Sequence, residues 1–429
     1  MAINRNQQPA LGAISEIHAK NPLTITLSNK IPVFILEAGD EDIIRIDIVF
    51  KAGSRYQDMI FQAAAANSLL TEGTESKTAR QIADEIDFYG SYVYPGCNRD
   101  EAFIQIFSLA RFLPQTLDIA AEIIHNPIFP ENELNIYRRK KLQSMAIEDQ
   151  KTETRARKKF MLTLFGADHP YGQVGEPEDM KALGRQELSG FHASYYHPSH
   201  CSILISGRKA GNYTALLEER FGNWEGSQSG PGKLFPTGPV VPASDNVIEA
   251  EVPGAVQASI RIGRVMPDKC HEDYSALSIV NTILGGYFGS RLMQNIREEK
   301  GFTYGIGSSL HSLQEHGIFM ISTEVGLDYY EQTIRECYKE IDLLCTDPVS
   351  DDELKRVKQY IQGDLLRQLD GPFNLAESFR SLLSHGMDFS FLLRFIKILN
   401  SITPGDIKKM ASKYLQAEPF IQVVAGLPK

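Results

Sequence analysis

The sequence predicts an α+β chain of two homologous halves, each a mostly antiparallel sheet with helices packed on one face. Three observations predict it. Residues 223–243 carry four glycines and four prolines among few periodic apolar positions, the composition of a linker, and divide the chain into an N-terminal half (1–222) and a C-terminal half (244–429). The halves end alike: Leu188, Phe191 and Tyr195 precede an apolar run closing at Gly207, Ile407, Met410 and Tyr414 precede another closing at Gly426, and every pair lies 219 residues apart. Period-two segments also alternate with helical stretches of roughly 10 to 20 residues, which suits helices layered on sheet.

Ile44, Ile46 and Ile48 alternate with Arg45 and Asp47, and Val256, Ala258, Ile260 and Ile262 alternate in the second half, so both read as strands. Asn126-Pro127 followed by Glu133-Leu134 is echoed by Asp347-Pro348 followed by Glu353-Leu354, each opening a long charged helical stretch. With the constant offset at the ends, this implies an internal duplication. A helix should start after Thr403, with Thr as its cap, Pro404 in the first turn and Asp406 as the third-position acid.

At 429 residues, 42% apolar and 23% charged, the chain can bury at least two cores. A net charge of -10 argues against a general nucleic-acid binder. The basic run Arg138-Arg139-Lys140-Lys141, with Arg155, Arg157, Lys158 and Lys159 nearby, reads as solvated helix face. Cys97, Cys201, Cys270, Cys337 and Cys345 are odd in number and form no C-x-x-C, which suits reduced thiols. The N-terminus has no apolar segment of signal-peptide length, and no stretch reaches the ~18 apolar residues of a membrane span, so a cytoplasmic chain without a membrane partner is expected.

Six segments, taken in order and spacing, carry a resemblance: Ala52–Gln57 (AGSRYQ), Leu69–Thr74 (LLTEGT), Asn126–Leu134 (NPIFPENEL), His169–Leu183 (HPYGQVGEPEDMKAL), Tyr195–Gly207 (YYHPSHCSILISG) and Leu284–Leu310, which begins LGGYFGSRL. The chain resembles the pitrilysin or insulinase-type zinc peptidases, the inverted zincins, in their processing-peptidase-like bacterial branch. In active members a helix carries H-x-x-E-H, whose two His ligate zinc and whose Glu activates the bound water, and a later helix adds a carboxylate ligand. Set against that pattern, the His, Glu and His positions fall at Ala64, Asn67 and Ser68, and the third ligand at Ser144. Alanine has no donor atom, and neutral Ser and Asn oxygens replace imidazole and carboxylate poorly at tetrahedral zinc. No His lies between His18 and His125 to rescue the motif by a shift. His197 and His200 read as turn residues beside His192, and His169 likewise.

The second half keeps a feature that contributes to substrate binding in the family, an Arg followed seven residues later by a Tyr: Arg297 and Tyr304, with Gly301 between them to end the helix. A guanidinium can hold a peptide carbonyl or carboxylate, and a phenol can donate to a developing oxyanion. Gly285, Gly286, Gly289 and Ser290 form a glycine-rich segment that, by resemblance, shapes the substrate cleft, although no phosphate-loop pattern is present. The resemblance implies a subunit without zinc that pairs with an active H-x-x-E-H chain, lends Arg297 and Tyr304 to a site whose zinc the partner holds, and binds an extended peptide at a sheet edge. The alternatives are a structural scaffold like the core subunits of the cytochrome bc1 complex, and a self-sufficient peptidase using another site.

Overall fold

The computed structural model describes residues 20–227, 231–234, 238, 240, 245–416 and 419–427. Six strands, β1 (Leu23–Thr26), β2 (Pro32–Glu37), β3 (Ile43–Phe50), β4 (Tyr92–Cys97), β5 (Ala102–Leu109) and β6 (Cys201–Gly207), form a sheet in the order β1-β2-β6-β3-β5-β4. A second sheet takes β7 (Val247–Glu251), β8 (Gln257–Met266), β9 (Ile306–Ser312), β10 (Gly317–Gly326) and β11 (Ile421–Leu427) in the order β7-β11-β8-β10-β9. With β1 set aside, the two orders are the same. The parallel pair β2–β6 is matched by β7–β11, and the remaining pairs are antiparallel in both sheets. The helices repeat too: Glu131–Glu148 corresponds to Asp351–Gln368, and Arg185–Tyr195 to Pro404–Leu415.

The alternating isoleucines point one way. Ile44, Ile46 and Ile48 enter a core with Leu117, Ile124 and Leu188, and Ile260 and Ile262 enter its counterpart with Ile341 and Ile407. Val256 departs from expectation: the turn at Pro253-Gly254 delays the strand, and Val256 stays exposed just before β8. The Thr403 cap forms as read, its hydroxyl accepting from the Asp406 amide at 3.2 Å while the Asp406 carboxylate accepts from the Thr403 amide at 3.0 Å. Of the linker 223–243, only residues 223–227, 231–234, 238 and 240 are described; the rest, like residues 1–19, lies outside the described residues.

Each sheet keeps its own helices on one face and receives a helix from the other half on the opposite face. The Thr152–Phe165 helix sets Ala156, Phe160 and Leu164 against Val423 and Ala425 of the second sheet, and the Gly371–Leu383 helix sets Ala376, Phe379 and Leu382 against Leu36 and Leu204 of the first. These helices start 219 residues apart, so the exchange belongs to the duplicated plan. It explains why the polar half of the β3 alternation is buried. Arg45 donates to both Asp47 oxygens (2.7 and 3.0 Å), to Glu377 at 2.6 Å and to the Phe373 carbonyl at 2.9 Å, the last two on the incoming helix. Arg261 of β8 repeats the device more loosely, reaching Glu153 at 3.4 Å. Pairing offsets the desolvation that isolated charges would suffer there.

A second polar contact ties the halves together. Arg55, in the turn after β3, donates to Asp100 at 3.3 Å and Tyr171 at 3.3 Å within its own half. Across the boundary it donates to Gln314 at 3.2 Å and pairs with Glu315, both in the β9–β10 turn. The Tyr171 phenol donates to Asp100, and burial together with that carboxylate raises its pKa far above the ordinary value.

Candidate functional site

The motif positions Ala64, Asn67 and Ser68 lie on the short helix Gln62–Ser68. Ala64 and Ser68, four apart, share one half-buried face of it; the Glu131–Glu148 helix packs nearby through Tyr137. Ser68 hydrogen-bonds Tyr137 of that helix, whose hydroxyl burial pushes up in pKa and the serine pulls back. One turn on, the Lys141 ammonium lies 5.4 Å from the ring centroid of Phe61, the residue that enters the short helix in a left-handed conformation at φ 73°. Ser144 follows on the same face and lines a cavity of about 230 Å³ with Phe61 and Lys141. Of the four positions only Ser144 lines this cavity; Ser68 meets the Glu131–Glu148 helix at Tyr137.

Their chemistry is different. Asn67 is 1% exposed; its amide donates to the Gly96 carbonyl of β4 at 2.8 Å, and its oxygen accepts from the Tyr196 hydroxyl at 2.7 Å. Both ends are spent on holding the helix to the sheet edge. Zinc does not fit this set: Ala64 offers a methyl, Asn67 and Ser68 are engaged, Ser144 is neutral, and a lysine stands one turn away. Among the described residues no group of three or more His, Cys, Asp and Glu is arranged to hold a metal ion.

His125, His169, His192 and His197 each have a structural partner. His169 accepts from the Tyr171 amide at 3.1 Å and stacks on Phe165; His197 caps the turn Pro198–His200 through the Ser199 amide. His125 stacks on Trp224, and His192 stacks on Tyr196 while bonding the Ile124 carbonyl at 2.8 Å. Burial lowers both imidazoles to about 4. Their folded pKa lies below the ordinary 6.5, so the folded state binds fewer protons between the two values. Stability should therefore be full above about pH 6.5 and decline as pH falls toward 4. Thermal melting across that range checks it: His192→Gln should flatten the decline, and a flat profile in the unaltered chain would refute it.

Arg297 sits on a π-wound helical segment, Met293–Glu299, which Gly301 ends at φ 67° as expected. Its guanidinium lies 4.6 Å from the Phe288 ring centroid and donates to Glu298 at 2.6 Å. Tyr304 is 94% exposed. Its neighbours are anchored: Phe302 stacks on Tyr329 at 4.9 Å, and the Thr303 hydroxyl donates to the Glu324 carbonyl at 2.7 Å. An outward phenol on a fixed loop is thereby presented to whatever approaches. Of Gly285, Gly286, Gly289 and Ser290, the exposed ones are Gly286 and Gly289. Gly285 packs on β9, where an added Cβ would meet the Ser308 amide nitrogen at 2.4 Å, and Ser290 is buried. Packing thus accounts for Gly285, and contact with a ligand is open to Gly286 and Gly289.

Arg99, Lys141 and Arg157 line the cavity beside Ser144; Arg157 is exposed, as the solvated-face reading of the basic run expects, Lys141 is half-buried, and Arg99 was not singled out from the sequence. A weak signal for the shared cavity existed: two basic helical stretches joined by a short connection must lie side by side.

The fold and site define a class: a two-half α+β chain of metallopeptidase architecture whose motif helix carries no metal ligands. Comparison with known proteins bears on which family that is. Residues 182–361 match the family model described as the peptidase M16 inactive domain. An uncharacterized zinc protease of Mycobacterium leprae is 24% identical over 85% of this chain and 82% of its own length, and the uncharacterized zinc protease YmxG of Bacillus subtilis is 24% identical over 76% and 79%. A peptidase M16 inactive domain from Pseudomonas fluorescens superposes with a TM-score of 0.87 at 23% identity, covering 96% of this chain and 99% of that one. The periplasmic protease PqqL of Escherichia coli matches with a TM-score of 0.79 at 15% identity, over 100% of this chain and 49% of that one. These comparisons support a pitrilysin-like (M16) peptidase relationship for the chain.

Proposed function

We propose that this chain is the non-catalytic subunit of a pitrilysin-type zinc peptidase, pairing with an active H-x-x-E-H chain that holds the zinc and contributing Arg297 and Tyr304 to peptide binding at a composite site. The observation that carries this reading is the asymmetry between the halves: Asn67 has become structural cement, whereas Tyr304 is left 94% exposed on an anchored loop. An extended peptide would lie along a sheet edge, with Gly286 and Gly289 allowing close approach. The description of the matching model as an inactive domain supports the first part, and a unit of this fold filling about half of a longer protease supports pairing with a second unit. A cytoplasmic setting is also proposed, on the five unpaired cysteines. No helix among the described residues is long and apolar enough to cross a membrane.

The test mixes the purified chain with a candidate active chain of the same family and follows peptide hydrolysis. The lone chain should be inactive and hold no stoichiometric zinc. In the complex, Arg297→Ala and Tyr304→Phe should each lower turnover by about 10²-fold, the scale of losing one oxyanion donor, without changing melting temperature or assembly. Hydrolysis by the lone chain would overturn the reading, and unchanged kinetics in both variants would reduce it to scaffolding.

A further inference from the structure

The cavity beside Ser144 has the wrong charge for a metal and the right charge for an anion. Four cationic side chains line it, Arg99, Lys141, Arg157 and Lys158, against two carboxylates, Glu148 and Asp149. Both carboxylates are engaged: Asp149 by Lys158 at 2.6 Å, and Glu148 by Lys151 at 2.5 Å and the Thr154 hydroxyl at 3.2 Å. Arg157 lies near enough to Glu148 to favour its ionised form, yet the hydrogen bonds of that carboxylate go elsewhere. Lys141 rests on the Phe61 ring, and Arg99 donates to the Tyr171 carbonyl at 2.6 Å. Burial first, then the neighbouring Arg157 charge, depresses Arg99 below its ordinary pKa. Arg99 and Lys141 are half-buried, while Arg157 and Ser144 are exposed at the mouth of the cavity, and like charges so gathered are relieved when an anion joins them.

We propose that this cavity binds an oxyanion, a carboxylate or a phosphate group, through Arg99, Lys141 and Arg157, with Ser144 as a neutral donor. Where active relatives would gather anionic and imidazole ligands around a cation, this chain gathers cations around a place for an anion. The volume, about 230 Å³, admits one such group with a few waters, a water occupying about 30 Å³. Arginine supplies forked donors suited to either oxyanion, and lysine a point charge. The inference concerns the chain alone and stands whether or not the chain pairs with another subunit.

The experiment titrates the purified full chain at low salt with inorganic phosphate, with a short peptide bearing a free C-terminal carboxylate, and with the C-terminal amide of that peptide, by calorimetry and thermal shift. Saturable binding of phosphate, of the acid peptide, or of both is expected, weakening as sodium chloride is raised, with none for the amide. Phosphate alone would point to a free ion, and the acid peptide alone to a peptide end. Lys141→Met and Arg157→Gln should each weaken binding about tenfold or more, the loss of one charged hydrogen bond. Arg139→Met, an exposed cation outside the cavity on the Lys141 helix, should leave it unchanged. Arg99 is spared because it also holds the Tyr171 carbonyl. Absence of saturable binding for both anions, or equal affinity in the Lys141 and Arg157 variants, would overturn the proposal.

Discussion

Asn67→Glu, the change that restores the missing base of the motif, is expected to destabilise the chain by roughly 3 kcal/mol and create no peptidase. The residue is 1% exposed and pinned at both ends, donating to the Gly96 carbonyl and accepting from the Tyr196 hydroxyl. A glutamate there keeps an acceptor for Tyr196 but turns an oxygen toward the Gly96 carbonyl, and each buried polar group left unpaired costs about 1–3 kcal/mol. Adding Ala64→His and Ser68→His should deepen the loss, since Ser68 bonds Tyr137 and Lys141 stands on the facing helix. Denaturant unfolding together with zinc analysis checks this. A triple variant that binds zinc without losing stability would mean the degenerate helix is only a few side chains from a working site.

Arg55→Met should have an effect of comparable size, about 3–5 kcal/mol, the range for removing one partner of a buried ion pair. Asp100 would keep Tyr171 but lose its cation, and the β9–β10 turn would lose the hold on Gln314 and Glu315 that crosses between the halves. The diagnostic is the form of the transition as well as its midpoint: weakened coupling should separate unfolding into two steps, one for each half. Gln314→Ala, which removes only a cross-half acceptor, should shift the midpoint less and in the same direction. A single transition in Arg55→Met with an unshifted midpoint would show that the exchanged helices, without this contact, hold the halves together.

Much of the architecture is legible along the chain because it depends on local periodicity. The alternation from Ile44 to Ile48 specifies a strand with one apolar face, the Thr403-Pro404-Asp406 cluster specifies a helix start, and the 219-residue offset specifies that the plan is used twice. The loss of metal chemistry is equally legible, since it is a matter of donor atoms: no packing can make a ligand of the Ala64 methyl.

Other features depend on what approaches from far away in sequence. The burial of Arg45 and Asp47 follows from a helix that starts at Gly371, more than 300 residues later, and Arg55 finds Glu315 at a similar remove. Nothing in the pattern around those arginines distinguishes a buried cation from a solvated one. The half-burial of Lys141, in a basic stretch that reads as surface, is the same case. By itself the sequence determined the duplicated α+β plan and that no His or carboxylate stands at Ala64, Asn67, Ser68 or Ser144. Only the tertiary structure decided which charges are paired, which cations are gathered at one cavity, and that Asn67 has been recruited to packing, because the energy of a charge or an amide is set by neighbours that local periodicity does not encode.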